Sequence, residues 1–316
     1  MKKILITGAS GFIGSFLVET ALANSWETWA GIRKSSSKEY LQDERIRFAC
    51  LDFADKDLLK TQISQYGPWD YVIHNAGVTK CVNPADFDKV NYLYSRNLIE
   101  ALQESAAVPE KFILMSSLSA HHPGVRTQYG DSKLKAEAFL KSQIGFPYII
   151  LCPTGVYGPR DKDYYLMLKM LQAGWNMTAG FEPQKLTFIY VKDLAKAAFW
   201  ALESPASNKT YFLSDGDTYS DAEYTHIAKT ALEKKSVIRL RVPLWALRTV
   251  SVLAEAWAKR QKKPSTLNRD KYEIMKQRDW TCDNSPLVKD LGFSADYPLK
   301  RGLEESVEWY RANGWL

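Results

Sequence analysis

The chain opens with a short apolar run, Ile4-Leu5-Ile6, that passes directly into Thr7-Gly8-Ala9-Ser10-Gly11-Phe12-Ile13-Gly14 and then into a helical pattern. No other feature restricts the fold as strongly. Glycines at 8, 11 and 14 let the backbone turn sharply, approach a pyrophosphate closely and pack a helix onto a sheet, while the helix N-terminus offers free N–H groups to an anion. A glycine triplet alone could be an ordinary turn. Placed between a first strand and a first helix it reads as a dinucleotide loop, with Gly8, Ser10, Gly11, Phe12, Ile13 and Gly14 as candidate contacts.

The rest of the first half keeps the rhythm this loop demands. Residues 3–6, 28–32, 45–51, 71–73, 112–115 and 148–151 read as strands, nearly continuous in apolar character as buried parallel strands are. Residues 12–23, 57–66, 87–104 and 129–141 read as the helices between them. The alternation predicts an α/β chain with a Rossmann-type doubly wound parallel sheet. Beyond residue 151 the rhythm is lost, and seven of the ten tryptophans lie there. We therefore expect residues 1–155 with 186–214 to form a dinucleotide-binding Rossmann domain, and 156–185 with 215–316 a smaller, mainly helical substrate lobe.

Hydrophobic residues at 46% and charged residues at 25% exclude a disordered chain or a coiled-coil rod. Net charge is +6, but no zinc-finger spacing or RNP-type aromatic run accompanies it, so no nucleic-acid partner is expected. Cys50, Cys81, Cys152 and Cys282 are too far apart for a CxxC pair or disulfide framework. Adjacent His121 and His122 have no further ligands at metal spacing and read as a solvated loop, so no metal is predicted. Reduced thiols fit a cytoplasmic setting. Lys2 and Lys3 precede an apolar run too short for a signal peptide, and residues 242–258 contain Arg248 and Glu255, which argues against a membrane span. Residues 244–258 followed by Lys259-Arg260-Gln261-Lys262-Lys263 have two readings: a helix lying on a membrane surface, or a substrate-lobe helix with basic residues at its C-terminal dipole. The second is the expectation here.

Tyr129 and Lys133 stand four residues apart at the head of a predicted helix, which puts both on one face about 5–6 Å apart. A phenol titrating near 10 is a poor base at neutral pH, and a neighbouring ammonium favours its phenolate. The buried strand 112–115 ends in Ser116-Ser117, hydroxyls able to polarise a substrate oxygen. At the end of the second strand Arg33-Lys34 stands where an acid would bind ribose hydroxyls. Arg33 can fork onto a 2′-phosphate, so NADP(H) is preferred, with NAD(H) as the alternative. Otherwise these two residues are a solvated basic turn.

The N-terminal TGxxGxxG together with YxxxK resembles the extended short-chain dehydrogenase/reductase superfamily, the NAD(P)-dependent epimerase/dehydratase family. The likeness implies a Ser-Tyr-Lys mechanism with Ser117 as the serine (Ser116 the alternative), Tyr129 and Lys133, and Asn91 as the helical asparagine that steadies a water chain to the lysine. It implies an adenine contact at Asp52-Phe53, which could instead be a helix cap. Asn75-Ala76-Gly77 resembles the small-residue turn that passes under the cofactor. Cys152-Pro153-Thr154-Gly155-Val156-Tyr157-Gly158-Pro159 resembles RPxxVYGP, with Pro153 and Val156 near the nicotinamide and Cys152 replacing the usual arginine. Asp193, in a segment resembling (F/Y)xxVxDxA, reads as a helix N-cap.

Sugar-nucleotide epimerases of this family usually carry an arginine where Leu186-Thr187 stands, and dehydratases need an acid pair where Leu118-Ser119 stands. Both departures move the resemblance toward 3β-hydroxysteroid dehydrogenase and dihydroflavonol reductase-like members. The expectation is hydride transfer between nicotinamide and a carbonyl or secondary alcohol of a small apolar substrate. A nucleotide-sugar epimerase, or a non-catalytic dinucleotide-sensing protein, is the alternative. The family also implies a homodimer through the outer faces of helices 87–104 and 129–141.

Overall fold

A strand covered by helices on both faces is apolar along most of its length, and β4 (Tyr71–His74), β5 (Lys111–Met115) and β6 (Tyr148–Pro153) are buried at every position, with His74 and Lys111 as polar strand ends. With β1 (Lys3–Thr7), β2 (Glu27–Ile32) and β3 (Arg47–Cys50) they form a sheet in the order 6-5-4-1-2-3, extended beyond β6 by a seventh strand at Lys209–Leu213. Pairings β1–β2, β1–β4, β2–β3, β4–β5 and β5–β6 are parallel. The connections are α1 (Phe12–Ala23), α2 (Lys56–Tyr66), α3 (Ala85–Phe87) continued by a π-helical stretch (Asp88–Leu93) and α4 (Tyr94–Glu104), then α5 (Leu118–His121) and α6 (Gln128–Lys141). Strand order reverses between β1 and β4, and in an open α/β sheet ligands bind at the carboxyl ends of such a pair.

The single helix expected over 87–104 differs in the structure. It begins at Ala85 and includes a π-helical stretch, whose turn is wider than that of an α-helix; Asn91 in that stretch and Ser95 just beyond it are both buried.

The computed structural model describes residues 1–316, divided into two units. The first comprises Met1–Ala120, Gln128–Cys152 and Ala195–Tyr211; the second comprises His121–Thr127, Pro153–Leu194 and Phe212–Leu316. The boundary departs from the expected 1–155 with 186–214 for a local reason. Residues 153–155 are tied to 187–190 and to 213: β7 (Gly155–Tyr157) pairs with a strand at Phe188–Tyr190, the Thr154 hydroxyl meets Thr187 at 2.7 Å, and the Thr154 N–H donates to the Leu213 carbonyl at 3.0 Å.

The second unit holds α7 (Asp163–Gln172), β8 (Trp175–Ala179), β9 (Lys185–Leu186), β10 (Phe188–Tyr190) and the start of α8 (Val191–Glu203), the rest of which lies in the first unit with most of β11 (the seventh sheet strand), and then β12 (Tyr219–Ser220) and α9 (Asp221–Ala231). It closes with β13 (Ile238–Val242), α10 (Leu244–Arg260), α11 (Arg269–Met275), α12 (Ser285–Leu291) and α13 (Leu299–Ala312). Its core is built on tyrosines: Tyr157, Tyr190, Tyr224 and Tyr310 are buried with Phe188 and Leu303. None of the seven tryptophans beyond residue 151 is buried. The Tyr310 hydroxyl lies 2.7 Å from the Gly158 carbonyl and 2.9 Å from that of Asp161. Helix α8 starts at Val191, so Asp193 sits in its first turn and is not its N-cap. Its carboxylate accepts the N–H groups of Asp296 and Tyr297 at 3.0 and 2.9 Å, tying the approach to α13 onto α8. His122 is likewise no free loop residue: its Nε2 lies 2.7 Å from the Asp279 carbonyl and its ring packs on Trp280. No helix is long and apolar enough to cross a membrane.

Candidate active site

The glycine loop folds back on itself between β1 and α1. A Cβ at Gly14 would lie 2.1 Å from the Gly8 carbonyl oxygen, and one at Gly8, whose φ is +66°, would lie 2.9 Å from the backbone of Ala76. The loop therefore packs against the Asn75-Ala76-Gly77 turn with no space for side chains. Helix α1 is capped at its N-terminus by Gly11 with no side-chain bond, and its first turn holds no acid. Ser10, Phe12 and Ile13 are half-buried and Gly11 is exposed. An uncapped, acid-free helix start behind a bare backbone cradle fits a pyrophosphate.

Beneath that cradle runs a chain of hydrogen bonds that the sequence alone does not reveal. The Ala76 N–H donates to Thr7 Oγ1 (3.1 Å), Thr7 Oγ1 lies 2.8 Å from His74 Nδ1, His74 Nε2 lies 2.9 Å from Ser95 Oγ, and Ser95 Oγ donates to the Asn91 carbonyl (2.7 Å). The Ser95 hydroxyl proton is spent on Asn91, so Ser95 accepts from His74 and the imidazole carries its proton on Nε2. Its Nδ1 then accepts from Thr7. Burial, with the Lys133 charge adding to it, pushes His74 down to about 3, so the ring is neutral. Three polar side chains, Thr7, His74 and Ser95, thus lock the ends of β1 and β4 to the π-helical stretch. The only hint in the sequence is polar residues closing two apolar strands.

Asn91 in turn holds the Val78 backbone at both ends, accepting its N–H at Oδ1 (2.8 Å) and donating to its carbonyl from Nδ2 (3.0 Å). Nδ2 also lies 3.0 Å from Ser132 Oγ, which donates to the Tyr129 carbonyl at 2.7 Å. Lys133 is buried and its Nζ donates to the Met115 carbonyl at 2.8 Å. A Cβ at Gly77 would stand 2.9 Å from Asn91 Oδ1 and 3.2 Å from Lys133 Nζ, so this turn is bare where the ammonium comes through.

Tyr129 lies one turn before Lys133 on α6 and is half-buried. Burial raises its phenol above the usual value, and a hydrogen bond from Ser117 pulls the other way. Ser117 Oγ lies 2.9 Å from Ser119 Oγ. Burial drives Lys133 down to about 8, and the charge of Glu137 opposes that fall.

The two strand-end serines point to different partners. Ser116 is buried and donates to Glu137, whereas Ser117 meets Tyr129. Glu137, one further turn along α6, is 1% exposed; Lys141 reaches it from outside at 3.2 Å and the Cys152 thiol lies 3.8 Å from it. Burial and the Glu137 charge raise the Cys152 thiol well above its usual value. Glu137 was missed in the sequence, although its spacing of four from Lys133 could have marked it.

The remaining candidates are scattered more widely. Arg33 and Lys34 are exposed past the end of β2, in a turn closed by the Arg33 N–H on Ser36 Oγ (3.0 Å). Asp52 is exposed and bonds its own turn through the Ala54 N–H (2.9 Å), while the cap of α2 is Asp55. Phe53 is buried edge-on against His74. Pro153 ends β6 and Val156 lies on β7.

Comparison with known proteins decides the family. The profile described as "NAD dependent epimerase/dehydratase family" matches residues 4–213. The chain belongs to that family. It is accordingly an enzyme of the extended short-chain dehydrogenase/reductase superfamily, an oxidoreductase with a Rossmann-type fold. Among curated relatives, a ceramide reductase of Caulobacter vibrioides is 26% identical over 99% of this chain and 96% of its own length. A dTDP-glucose 4,6-dehydratase of Neisseria meningitidis is 23% identical over 99% and 94%. Among solved structures, the UDP-glucose 4-epimerase of Thermus thermophilus in complex with NAD superposes with a TM-score of 0.76, at 20% identity and 98% coverage of both chains.

Proposed function

We propose that this family member is an NADP(H)-dependent reductase or dehydrogenase acting on a carbonyl or secondary alcohol of an apolar substrate. The observation that carries the reading is the meeting of the Ser117 hydroxyl with the Tyr129 phenol, one helical turn from the buried ammonium of Lys133. Nicotinamide, when bound, supplies or accepts the hydride. Tyr129 then donates its proton to the substrate oxygen, Ser117 donates a hydrogen bond to the charge developing there, and the Lys133 ammonium favours the phenolate left behind. Gly8, Ser10, Gly11, Phe12, Ile13 and Gly14 would hold the pyrophosphate, and Asp52 and Phe53 would meet the adenine. Arg33 and Lys34 would pair with a 2′-phosphate, and Asn75, Ala76, Gly77, Pro153 and Val156 would line the rest. Asn91 acts as a positioning residue, through Val78 and Ser132.

Leu186 and Thr187, where sugar-nucleotide epimerases usually place an arginine, support a reductase. So does the end-to-end match to a protein named ceramide reductase, which favours a lipid-like carbonyl compound. The dehydratase relative keeps sugar-nucleotide chemistry as the second reading. A panel of apolar ketones, N-acylated long-chain ketones included, should give stoichiometric loss of NADPH absorbance, and UDP- and dTDP-sugars should not be isomerised. Sugar inversion with no net NADPH consumption would overturn the assignment.

A further inference from the structure

Of the eighteen large hydrophobic side chains exposed on the chain, twelve lie between residues 166 and 257, in the second unit. Helix α10 concentrates them. A surface helix normally turns its apolar face inward, but here Leu247, Ser251 and Ala258 are buried while Trp245, Leu253 and Trp257 are 75%, 63% and 66% exposed. At about 100° per residue, Trp245, Leu253, Trp257 and the exposed Val250 fall within an arc of about 140° that contains no acid. The strand preceding this helix carries exposed apolar residues of its own. In the parallel pair β8–β13, Ile238 is in register with Trp175 and Leu240 with Met177, and all four are exposed.

Charge identifies what such a surface meets. The helix runs out into Lys259, Arg260, Lys262 and Lys263, all exposed and with no acid among them. Tryptophans backed by a cluster of cations suit the boundary between headgroups and acyl chains of an anionic bilayer. A second copy would bring the same cationic run and is itself basic at +6, so it offers that run no evident counterpart. We propose that the surface of β8, β13 and α10 docks the enzyme peripherally on an anionic lipid bilayer, with the apolar side chains of α10 at the acyl boundary and the basic run on the headgroups. The docking is independent of the substrate assigned above, since it needs no turnover.

The test is co-sedimentation of the full chain with sucrose-loaded vesicles of phosphatidylcholine, with and without about one-third phosphatidylglycerol. The native chain should sediment with the anionic vesicles, weakly with the neutral ones, and less as salt rises. Trp245→Ser/Leu253→Ser/Trp257→Ser and, separately, Lys262→Glu/Lys263→Glu should each lose about ten-fold or more in vesicle affinity, while unchanged circular dichroism and NADPH binding show that both remain folded. The proposal is overturned if the native chain stays in the supernatant, or if both variants sediment like it. It is also overturned if the triple serine variant halves the particle mass in solution, since a second copy would then be what covers the patch.

Discussion

In the proposed mechanism Tyr129, Lys133 and Ser117 are held by other side chains, and the two sets should respond differently to substitution. Tyr129→Phe should lower kcat by ~10² to 10⁴ with cofactor affinity nearly unchanged, as steady-state kinetics and calorimetry can separate. Arg33→Asp should weaken NADPH and improve NADH; equal affinity of the native enzyme for both would reduce Arg33 to surface charge. His74 gives a prediction in stability. Its ring is held neutral down to about 3 against 6.5 when unfolded, so the unfolded chain takes up the proton first and stability falls as pH drops below 6.5. From pH 6.5 to 5 the loss assignable to this group is about 1.5 kcal/mol, and denaturant titration of His74→Asn should show a shallower slope over that interval. The Tyr129–Lys133 spacing was legible in the sequence because it is local and periodic. Thr7, His74 and Ser95 were not, since they converge from different elements and no spacing relates them; Glu137, four residues beyond Lys133 on the same helix, was readable and was missed.

At the scale of the element, α1 and its loop depend on one crossing of backbone over backbone. Gly14→Ala would drive a methyl to 2.1 Å from the Gly8 carbonyl, whereas Gly11→Ala would place one at 3.3 Å from the same oxygen, a tight contact that a shift of a few tenths of an ångström relieves. Thermal unfolding should therefore show a much larger loss for Gly14→Ala, accompanied by loss of stabilisation by NADPH, with Gly11→Ala near native. The alternation of strand and helix in the first half was readable because parallel strands covered on both faces are plain apolar runs. The π-helical stretch was not readable. Its residues continue the helical periodicity on either side, so nothing in their pattern marks the wider turn. Helix α10 was placed correctly as a helix, but its apolar residues did not say which side they face.

For the whole molecule, the edge between the two units was not legible in the sequence. The pairing of β7 with β10 that moves residues 153–155 and 186–190 into the second unit joins segments too short to stand out. The core of that unit makes a paired prediction. Tyr310 bonds two carbonyls through its hydroxyl, while the buried Tyr224 hydroxyl meets no protein partner. Tyr310→Phe should cost about 1 kcal/mol and Tyr224→Phe should be neutral or stabilising, read from thermal melts. Of the ten tryptophans only Trp69 is buried. The exposed ones, Trp175, Trp245 and Trp257, all belong to β8 and α10 of the second unit. A shift of the ultraviolet emission toward shorter wavelength would report an event that covers those two elements, and the chain needs no attached dye for it to be seen.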